Sequence, residues 1–237
     1  IDRRLAVSHE GGPHVGWSFA HGMLREVIEL RAREANRYER HHRTCAEMLS
    51  AASGSGVAAR LGRHLLLGGL EEQSLGPLLS GAREHFASGD NWEAGAIVRD
   101  VVRLIERLSL PTSDPRYSQA LLLSAQLARR RGDLEEALSL AQQVERATED
   151  SPLLTERCDV LLLMGHVLMD LGRLDDALVN LRSSLFIAEK IADQERCVRV
   201  RSQLLYVLTS AARLEEAQAV GLHALRDAEA LGEAAAL

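Results

Sequence analysis

Apolar residues recur along most of this chain at the three- and four-residue spacing of an α-helix. The spacing is clearest in the runs between residues 121 and 127, 160 and 171, and 200 and 208. Side chains at this spacing share one helical face, so each run predicts a helix that buries that face. The same pattern predicts helices at 71–88 and 92–107. The predicted fold class is therefore all-α.

Three segments of the sequence superimpose without a gap at a spacing of forty residues. They are residues 132–138, 172–178 and 212–218, which read GDLEEAL, GRLDDAL and ARLEEAQ. A glycine at the first position suits a left-handed helix cap, and the acidic pair suits the first turn of the helix that follows. The shared leucine, at positions 134, 174 and 214, is expected to fill the gap between the two helices. The shared alanine lets the helices pack closely. Each segment is therefore predicted to be the turn between two antiparallel helices.

The turns and the apolar positions around them resemble the tetratricopeptide repeat family. The second copy matches best, with residues typical of the family at Leu161, Gly165, Leu168, Gly172, Ala177 and Leu181. The forty-residue period exceeds the family's usual ~34 residues, which implies longer helices. The resemblance implies an all-α, tetratricopeptide-like α-α superhelix of antiparallel helix hairpins, with three repeats over residues 118–237.

Degenerate helical repeats are predicted upstream, over residues 53–110. Residues 89–95, GDNWEAG, have the composition of the same turn with one extra residue, and residues 65–72 resemble an older copy. Two prolines then interrupt the helical pattern. Residues 111–117 are therefore predicted to form a hinge between two helical blocks.

Residues 1–52 follow a different pattern. Short apolar runs on both sides of a glycine-proline turn predict a β-hairpin, and two helices follow that contain FAHGMLRE and RYERHHRTCAEML. This passage resembles the junction in bacterial signal-transduction (STAND or AAA-type) ATPases, where a winged-helix module ends in a hairpin before helical repeats. The resemblance implies that the chain begins inside a truncated winged helix, with a nucleotide-binding domain upstream in a longer parent protein.

The net charge and the lysine content argue against several classes of function. The net charge is −6, and Lys190 is the one lysine among 28 basic residues. A P-loop and a protein kinase each need a lysine at a defined position, and Lys190 lies in neither context. Six arginines between residues 25 and 43 alternate with glutamates at i, i+3 and i, i+4 spacings. That arrangement favours a self-paired solvent face over a nucleic-acid site.

The histidines and cysteines do not form a recognisable site. Seven of the nine histidines precede residue 86, but the adjacent His41 and His42 point to different helix faces and none has the spacing of a metal motif. No nucleophile elbow is present. We predict no catalytic residue, no metal and no cofactor, and hence no enzyme within this sequence.

Cellular location is predicted from two features. Cys45, Cys158 and Cys197 are widely separated, which is typical of reduced thiols in a cytoplasmic protein. No apolar run approaches the ~20 residues of a membrane helix, so no membrane contact is predicted.

The function class that remains after these exclusions is the binding of another protein. In the resembled family the first helix of each hairpin lines a concave groove that holds a peptide or protein. Transferred by position, the resemblance implies a partner-binding groove made of Gln119, Leu122, Gln126, Arg129, Arg130, Asp159, Leu162, His166, Met169, Asp170, Arg199, Ser202, Tyr206 and Thr209. The partner is a protein or peptide ligand, or other domains of the parent chain.

Three functional hypotheses follow. The first is a non-catalytic, regulatory sensor region of a multidomain bacterial signalling ATPase or kinase-linked protein. The second is a free-standing tetratricopeptide scaffold or adaptor. The third is part of a LuxR-like or MalT-like transcription regulator. A P-loop upstream of residue 1 in the parent protein would support the first and exclude the second.

Overall fold

The computed structural model describes the backbone at residues 6–9, 16–19, 22–148 and 154–235 and the side chains at 23–148 and 154–232. Two strands and eleven helices lie in this described part. They are β1 Ala6–His9, β2 Gly16–Phe19, α1 Gly22–Glu34, α2 Tyr38–Ser50, α3 Val57–Leu67, α4 Glu71–Ala87, α5 Asn91–Arg107, α6 Pro115–Arg131, α7 Leu134–Thr148, α8 Leu154–Asp170, α9 Leu174–Lys190, α10 Gln194–Ser210 and α11 Leu214–Ala235. None of these helices combines the length and apolarity that a bilayer crossing requires.

The chain divides into two compact units, Ile1–Pro77 and Leu78–Leu237. The helices predicted at 71–88 and 92–107 match α4 and α5 to within one residue at each end. The domain boundaries predicted at residues 52, 110 and 117, and the hinge between the last two, stay predictions.

In the first unit, β1 and β2 pair antiparallel, with Ala6 opposite Phe19. Residues 10–15, which carry the predicted turn, lie outside the described residues. The assignment of these strands to a winged helix stays a prediction. Helices α2 and α3 pack together, and His42 Nδ1 lies 2.8 Å from His64 Nδ1 across that contact.

The arginine-rich face of the first unit contains the intrahelical pairs that its spacing predicts. Arg25 pairs with Glu29 at 3.6 Å and Arg43 with Glu39 at 3.1 Å, both at i, i+4. These groups are largely exposed, so each pair contributes only about 0.3–0.5 kcal/mol. Their carboxylates nevertheless offset the positive charge of this face.

In the second unit, the three predicted turns join α6 to α7, α8 to α9 and α10 to α11. Gly132, Gly172 and Ala212 all have left-handed backbones, with φ of 87°, 74° and 57°. In each turn the next residue donates its N–H to the carbonyl five positions earlier, at 2.8–3.0 Å. These bonds satisfy carbonyls that the ending helix leaves free. The forty-residue period therefore corresponds to three helical hairpins.

The core of this unit is built from positions that repeat with the same period. Ala137 and Ala177 are fully buried and Ala217 nearly so, as the predicted close helix crossing requires. The leucines of the first two turns pack against the core, but Leu214 is 64% exposed. Helices α8 and α10 pack on α7 and α9, whereas the described residues contain no helix after α11. The expectation that Leu214 also fills a gap between helices is therefore wrong.

The two helices of the second hairpin come into very close contact at Gly165. A Cβ added there would lie 2.6 Å from both Cγ and Cδ2 of the fully buried Leu181. Forty residues later the sizes are exchanged, because Leu205 faces Gly221, where an added Cβ would lie 3.5 Å from the leucine. The glycine is thus on the first helix of the second hairpin and on the second helix of the third hairpin, and the leucine is on the opposite helix in each case.

Candidate functional site

A groove of about 620 Å³ lies along the first helices of the hairpins in the second unit. Its walls come from α4, α6, α8 and α10. It is lined by Arg83, Phe86, Gln119, Leu122, Leu123, Gln126, Arg129, Arg130, Thr155, Glu156, Asp159, Leu162, Leu163, His166, Arg196 and Arg199. The groove therefore joins polar and charged side chains to an apolar floor.

Nine of the fourteen residues predicted from the sequence line this groove. They are Gln119, Leu122, Gln126, Arg129, Arg130, Asp159, Leu162, His166 and Arg199. On α10 the lining ends at Arg199, so the later residues of that helix lie beyond it. Whether these side chains bind a partner stays a prediction.

The five other predicted residues lie outside the groove lining. Asp170 is tied to it through Arg129, whose Nε donates to Asp170 Oδ2 at 2.6 Å. Ser202 and Thr209 donate their hydroxyls to carbonyls one turn earlier in α10. Tyr206 is 59% exposed, and Met169 is partly buried against the core.

Transfer by sequence position missed seven lining residues, which are Arg83, Phe86, Leu123, Thr155, Glu156, Leu163 and Arg196. Arg83 and Phe86 belong to a hairpin whose turn carries an extra residue, so the forty-residue register does not reach them. Arg196 precedes Arg199 by one helical turn and shares its face. That spacing was a signal in the sequence that could have identified Arg196.

Arg130 is held rigidly at the α4 end of the groove. Its guanidinium carbon lies 3.5 Å from the centre of the Phe86 ring. Its Nη1 donates to the Phe86 carbonyl at 2.8 Å and to Asn91 Oδ1 at 2.9 Å. All three of these partners are uncharged, so the positive charge of Arg130 is fixed in position without being neutralised. Arg83, one turn before Phe86, is exposed and has no ion pair among the described residues.

Arg196 ties α10 to α8. It donates to both carboxylate oxygens of Asp159, at 2.9 and 3.0 Å, and to Asp193 Oδ2 at 2.5 Å. These bonds, led by those to Asp159, raise the pKa of Arg196. The backbone N–H and then the side chain of Arg196 lower the pKa of Asp193. The fork geometry fixes the spacing of the two helices across the groove.

His166 lies between these charged groups and is itself neutral. Burial, followed by the nearby Arg129, lowers its pKa to about 4, against the opposing effects of a hydrogen bond with Gln203 and the charge of Asp170. At neutral pH its imidazole is therefore a polar group without charge.

The α4 end of the groove is cationic although the chain is acidic. Five arginines line the groove, but three of them are ion-paired: Arg129 with Asp170, Arg196 with Asp159 and Asp193, and Arg199 with Glu195. Arg83 and Arg130, at the α4 end, have no ion pair among the described residues. Fixed positive charge in a concave site attracts acidic groups and repels basic ones. Among the residues that the structure describes, no group of three or more His, Cys, Asp or Glu side chains could hold a metal ion.

Comparison with solved structures defines the class of this fold as a TPR-like α-α superhelix. One similar structure is BtubC (BKLC) from P. vanneervenii, with a TM-score of 0.63, 14% identity, and coverage of 86% of this chain and 92% of that one. Another is a putative kinesin light chain with nearly identical TPR-like repeats from Podosopora anserina, with a TM-score of 0.58, 18% identity, and coverage of 89% and 97%.

A third similar structure is a Rap protein complexed with competence and sporulation factor. Its TM-score is 0.64 at 13% identity, and the match covers 87% of this chain and 52% of that one. Comparison with protein-family models gives no match, and neither does comparison with curated proteins. At these identities the similarity establishes the fold alone.

Proposed function

We propose that this chain is a non-catalytic interaction region whose groove binds an acidic segment of a protein partner. The observation that carries the proposal is the positive charge of Arg130 and Arg83, which no described carboxylate neutralises, at the α4 end of a groove on an acidic chain. Phe86, Leu122 and Leu162 supply apolar contacts beside that charge. An extended or helical peptide that alternates acidic and apolar side chains satisfies both features.

The similar structures support a binding role. The Rap protein was solved in complex with another factor, and its helical array has the fold of this chain. The geometry of the groove supports the same role, because Arg130 and Arg196 are already held by neighbouring groups. A partner would then lose little side-chain entropy from the chain on binding.

We further propose that the array regulates a multidomain bacterial signalling ATPase. The support is the resemblance of the helices around FAHGMLRE and RYERHHRTCAEML to a junction in such proteins. Acidic segments of the parent protein are then candidate occupants of the groove. A free-standing adaptor would bind segments of other proteins in the same way, and the gene upstream of residue 1 separates the two.

The groove is tested with a displayed library of random peptides selected against the chain. Selected peptides are synthesised, labelled with fluorescein and titrated by fluorescence anisotropy. Because Arg83 makes no ion pair among the described residues, Arg83→Glu reverses one groove charge without breaking a described contact. It is expected to weaken binding of acidic peptides about tenfold, as the loss of a well-placed interface charge does.

Arg146→Glu is the matched control. It makes the same charge change on α7, where Arg146 is exposed and, among the described residues, bonds only to a carbonyl of its own helix. This variant should bind as the wild type does. Equal affinity of wild type and Arg83→Glu for every selected peptide would overturn the groove proposal. Tyr206→Ala then measures whether the binding surface extends past the groove along α10.

A further inference from the structure

Helix α9 presents two large apolar side chains to solvent. Val179 is 63% exposed and Phe186 is 67% exposed. They are seven residues apart, so they lie on one helical face at a separation of about 10 Å along the axis. We name this surface, with the depression beside Phe186, the α9 patch.

The other two repeats show that the fold does not need these apolar residues. Arg146 and Arg226 occupy the positions equivalent to Phe186. Serine and alanine occupy the positions equivalent to Val179. The second copy thus carries large apolar groups where its neighbours carry arginine or small residues. Exposing them is unfavourable in the isolated chain, because apolar surface left in water forgoes the free energy that burial would give.

A depression of about 450 Å³ lies beside Phe186, between α8 and α9. Leu161 and Ile187 are both buried and belong to its apolar floor. Leu154 lines its edge and is partly buried. A side chain placed in the depression would therefore meet apolar atoms on its floor and the Phe186 ring at its rim.

Among the described residues, the charged side chains that line the depression are all basic: Arg157, Arg182 and Lys190. Arg182 pairs with Glu216 at 2.7 Å, outside the lining, with both side chains about half exposed. Lys190 lies one helical turn after Phe186 and has no ion pair among the described residues. The α9 patch thus combines an apolar centre with a cationic rim on a chain of net charge −6.

We infer that the α9 patch is a second docking surface, and that its occupant is an acidic amphipathic helix of a partner protein. The two exposed apolar groups and the depression suit apolar side chains at i, i+3 or i+4, and i+7 of such a helix. Its carboxylates would lie against Lys190, which has no ion pair among the described residues, and beside the half-exposed Arg182.

A second copy of the chain fits the α9 patch poorly. A two-fold dimer places the same patch of both subunits face to face. The Lys190 side chain of each subunit would then lie against the basic rim of the other, which is unfavourable. The α9 patch also shares no residue with the groove. The inference therefore does not rest on the proposed function of the groove, and both surfaces can be occupied together.

The test uses displayed random peptides about 16 residues long, which can form roughly four helical turns. Peptides selected on the wild type are rescreened on Phe186→Arg, a variant with the side chain that both neighbouring repeats carry at this position. We expect a class of acidic peptides with helically spaced apolar residues that binds Phe186→Arg at least about tenfold more weakly, as loss of a central aromatic contact predicts.

Two further variants test whether the peptides bind at the α9 patch through their acidic residues. Lys190→Glu should also weaken this class, and replacing one acidic peptide residue by lysine should restore part of the affinity. Arg83→Glu should leave the class unaffected, so failure of the groove and failure of the α9 patch are separate results. The inference is overturned if no selected peptide depends on Phe186, or if the dependent peptides carry no acidic residues. It is also overturned if light scattering shows a wild-type dimer that Phe186→Arg dissociates.

Discussion

We predict that the effect of Gly165→Ala on the free energy of unfolding changes sign when the side chain of Leu181 is removed. Gly165→Ala adds one methyl group 2.6 Å from two carbons of a leucine that is fully buried. Carbon atoms in contact normally lie about 3.5–4.0 Å apart. The leucine must therefore move within a packed core, or α8 and α9 must separate.

Two effects of opposite sign set the magnitude. Overpacking of this kind costs about 1–3 kcal/mol. Alanine in a helix interior is about 1 kcal/mol more favourable than glycine. The net loss of unfolding free energy for Gly165→Ala is then about 0–2 kcal/mol, less than a clash of this size would suggest.

Removing the leucine side chain reverses the sign. Leu181→Ala alone costs about 2–5 kcal/mol because it leaves a cavity. In that background the new methyl of Gly165→Ala meets no leucine, occupies part of the cavity and keeps the helix preference of alanine. Gly165→Ala should therefore stabilise the Leu181→Ala protein by about 1 kcal/mol or more. The first repeat already has this combination, with buried alanines at 125 and 141.

The assay is urea unfolding followed by circular dichroism for the four proteins of this double-mutant cycle. The expected coupling free energy is about 1–3 kcal/mol in favour of the double variant. Gly95→Ala is the control, because a Cβ there meets only the end of the flexible Arg99 side chain, at 3.4 Å. It should show the helix preference alone. If Gly165→Ala changes stability equally with and without Leu181, the packing argument is refuted.

Three further predictions test the turns, the groove and the thiols. Gly172→Ala should destabilise and Ala212→Gly should stabilise the protein, each by about 1 kcal/mol in urea unfolding, because both positions have positive φ. With a pKa of about 4 in the folded chain and about 6.5 unfolded, His166 binds more protons in the unfolded state between those values, so stability should fall by about 1–2 kcal/mol from pH 7 to pH 5. The buried Cys158, whose pKa is raised first by burial, should react with a thiol reagent later than the partly exposed Cys45.

Each of these predictions has its own control. His166→Gln should remove its share of the pH dependence, and an unchanged slope in that variant would contradict the role given to His166. Cys45→Ser should abolish the fast labelling phase, whereas equal rates at Cys45 and Cys158 would contradict the burial argument. For the turns, equal effects of opposite sign are the expected signature, and a destabilised Ala212→Gly would argue that this turn is not strained.

The hairpins were predictable because local chemistry repeats where the chain must turn. A glycine or alanine with positive φ, an acidic first turn and a small buried residue recur at forty-residue spacing. These requirements belong to a few adjacent residues, so the sequence displays them directly. The same register located nine groove residues, since the first helices of equivalent hairpins present equivalent faces.

The features that could not be predicted depend on contacts between segments that are far apart in the sequence. Arg83 and Phe86 line the groove from a hairpin outside the forty-residue register. The exposure of Leu214 depends on what packs against α11, which the turn sequence does not encode. The exchange of sizes between Gly165–Leu181 and Leu205–Gly221 is visible in the sequence only after the structure shows that these positions face each other.

Differences between the repeats separate the requirements of folding from those of binding. Positions that all three copies keep, such as the buried alanines at 137, 177 and 217, report what every hairpin needs to pack. The glycine–leucine pairs Gly165–Leu181 and Leu205–Gly221 reflect the same packing requirement, which the two facing residues meet together. Phe186 fits neither class, because it is exposed and no facing residue compensates for it. An apolar group that the fold neither buries nor repeats gains free energy only when another surface covers it. Phe186, more than any residue of the groove, is therefore the position at which loss of binding without loss of stability would be decisive.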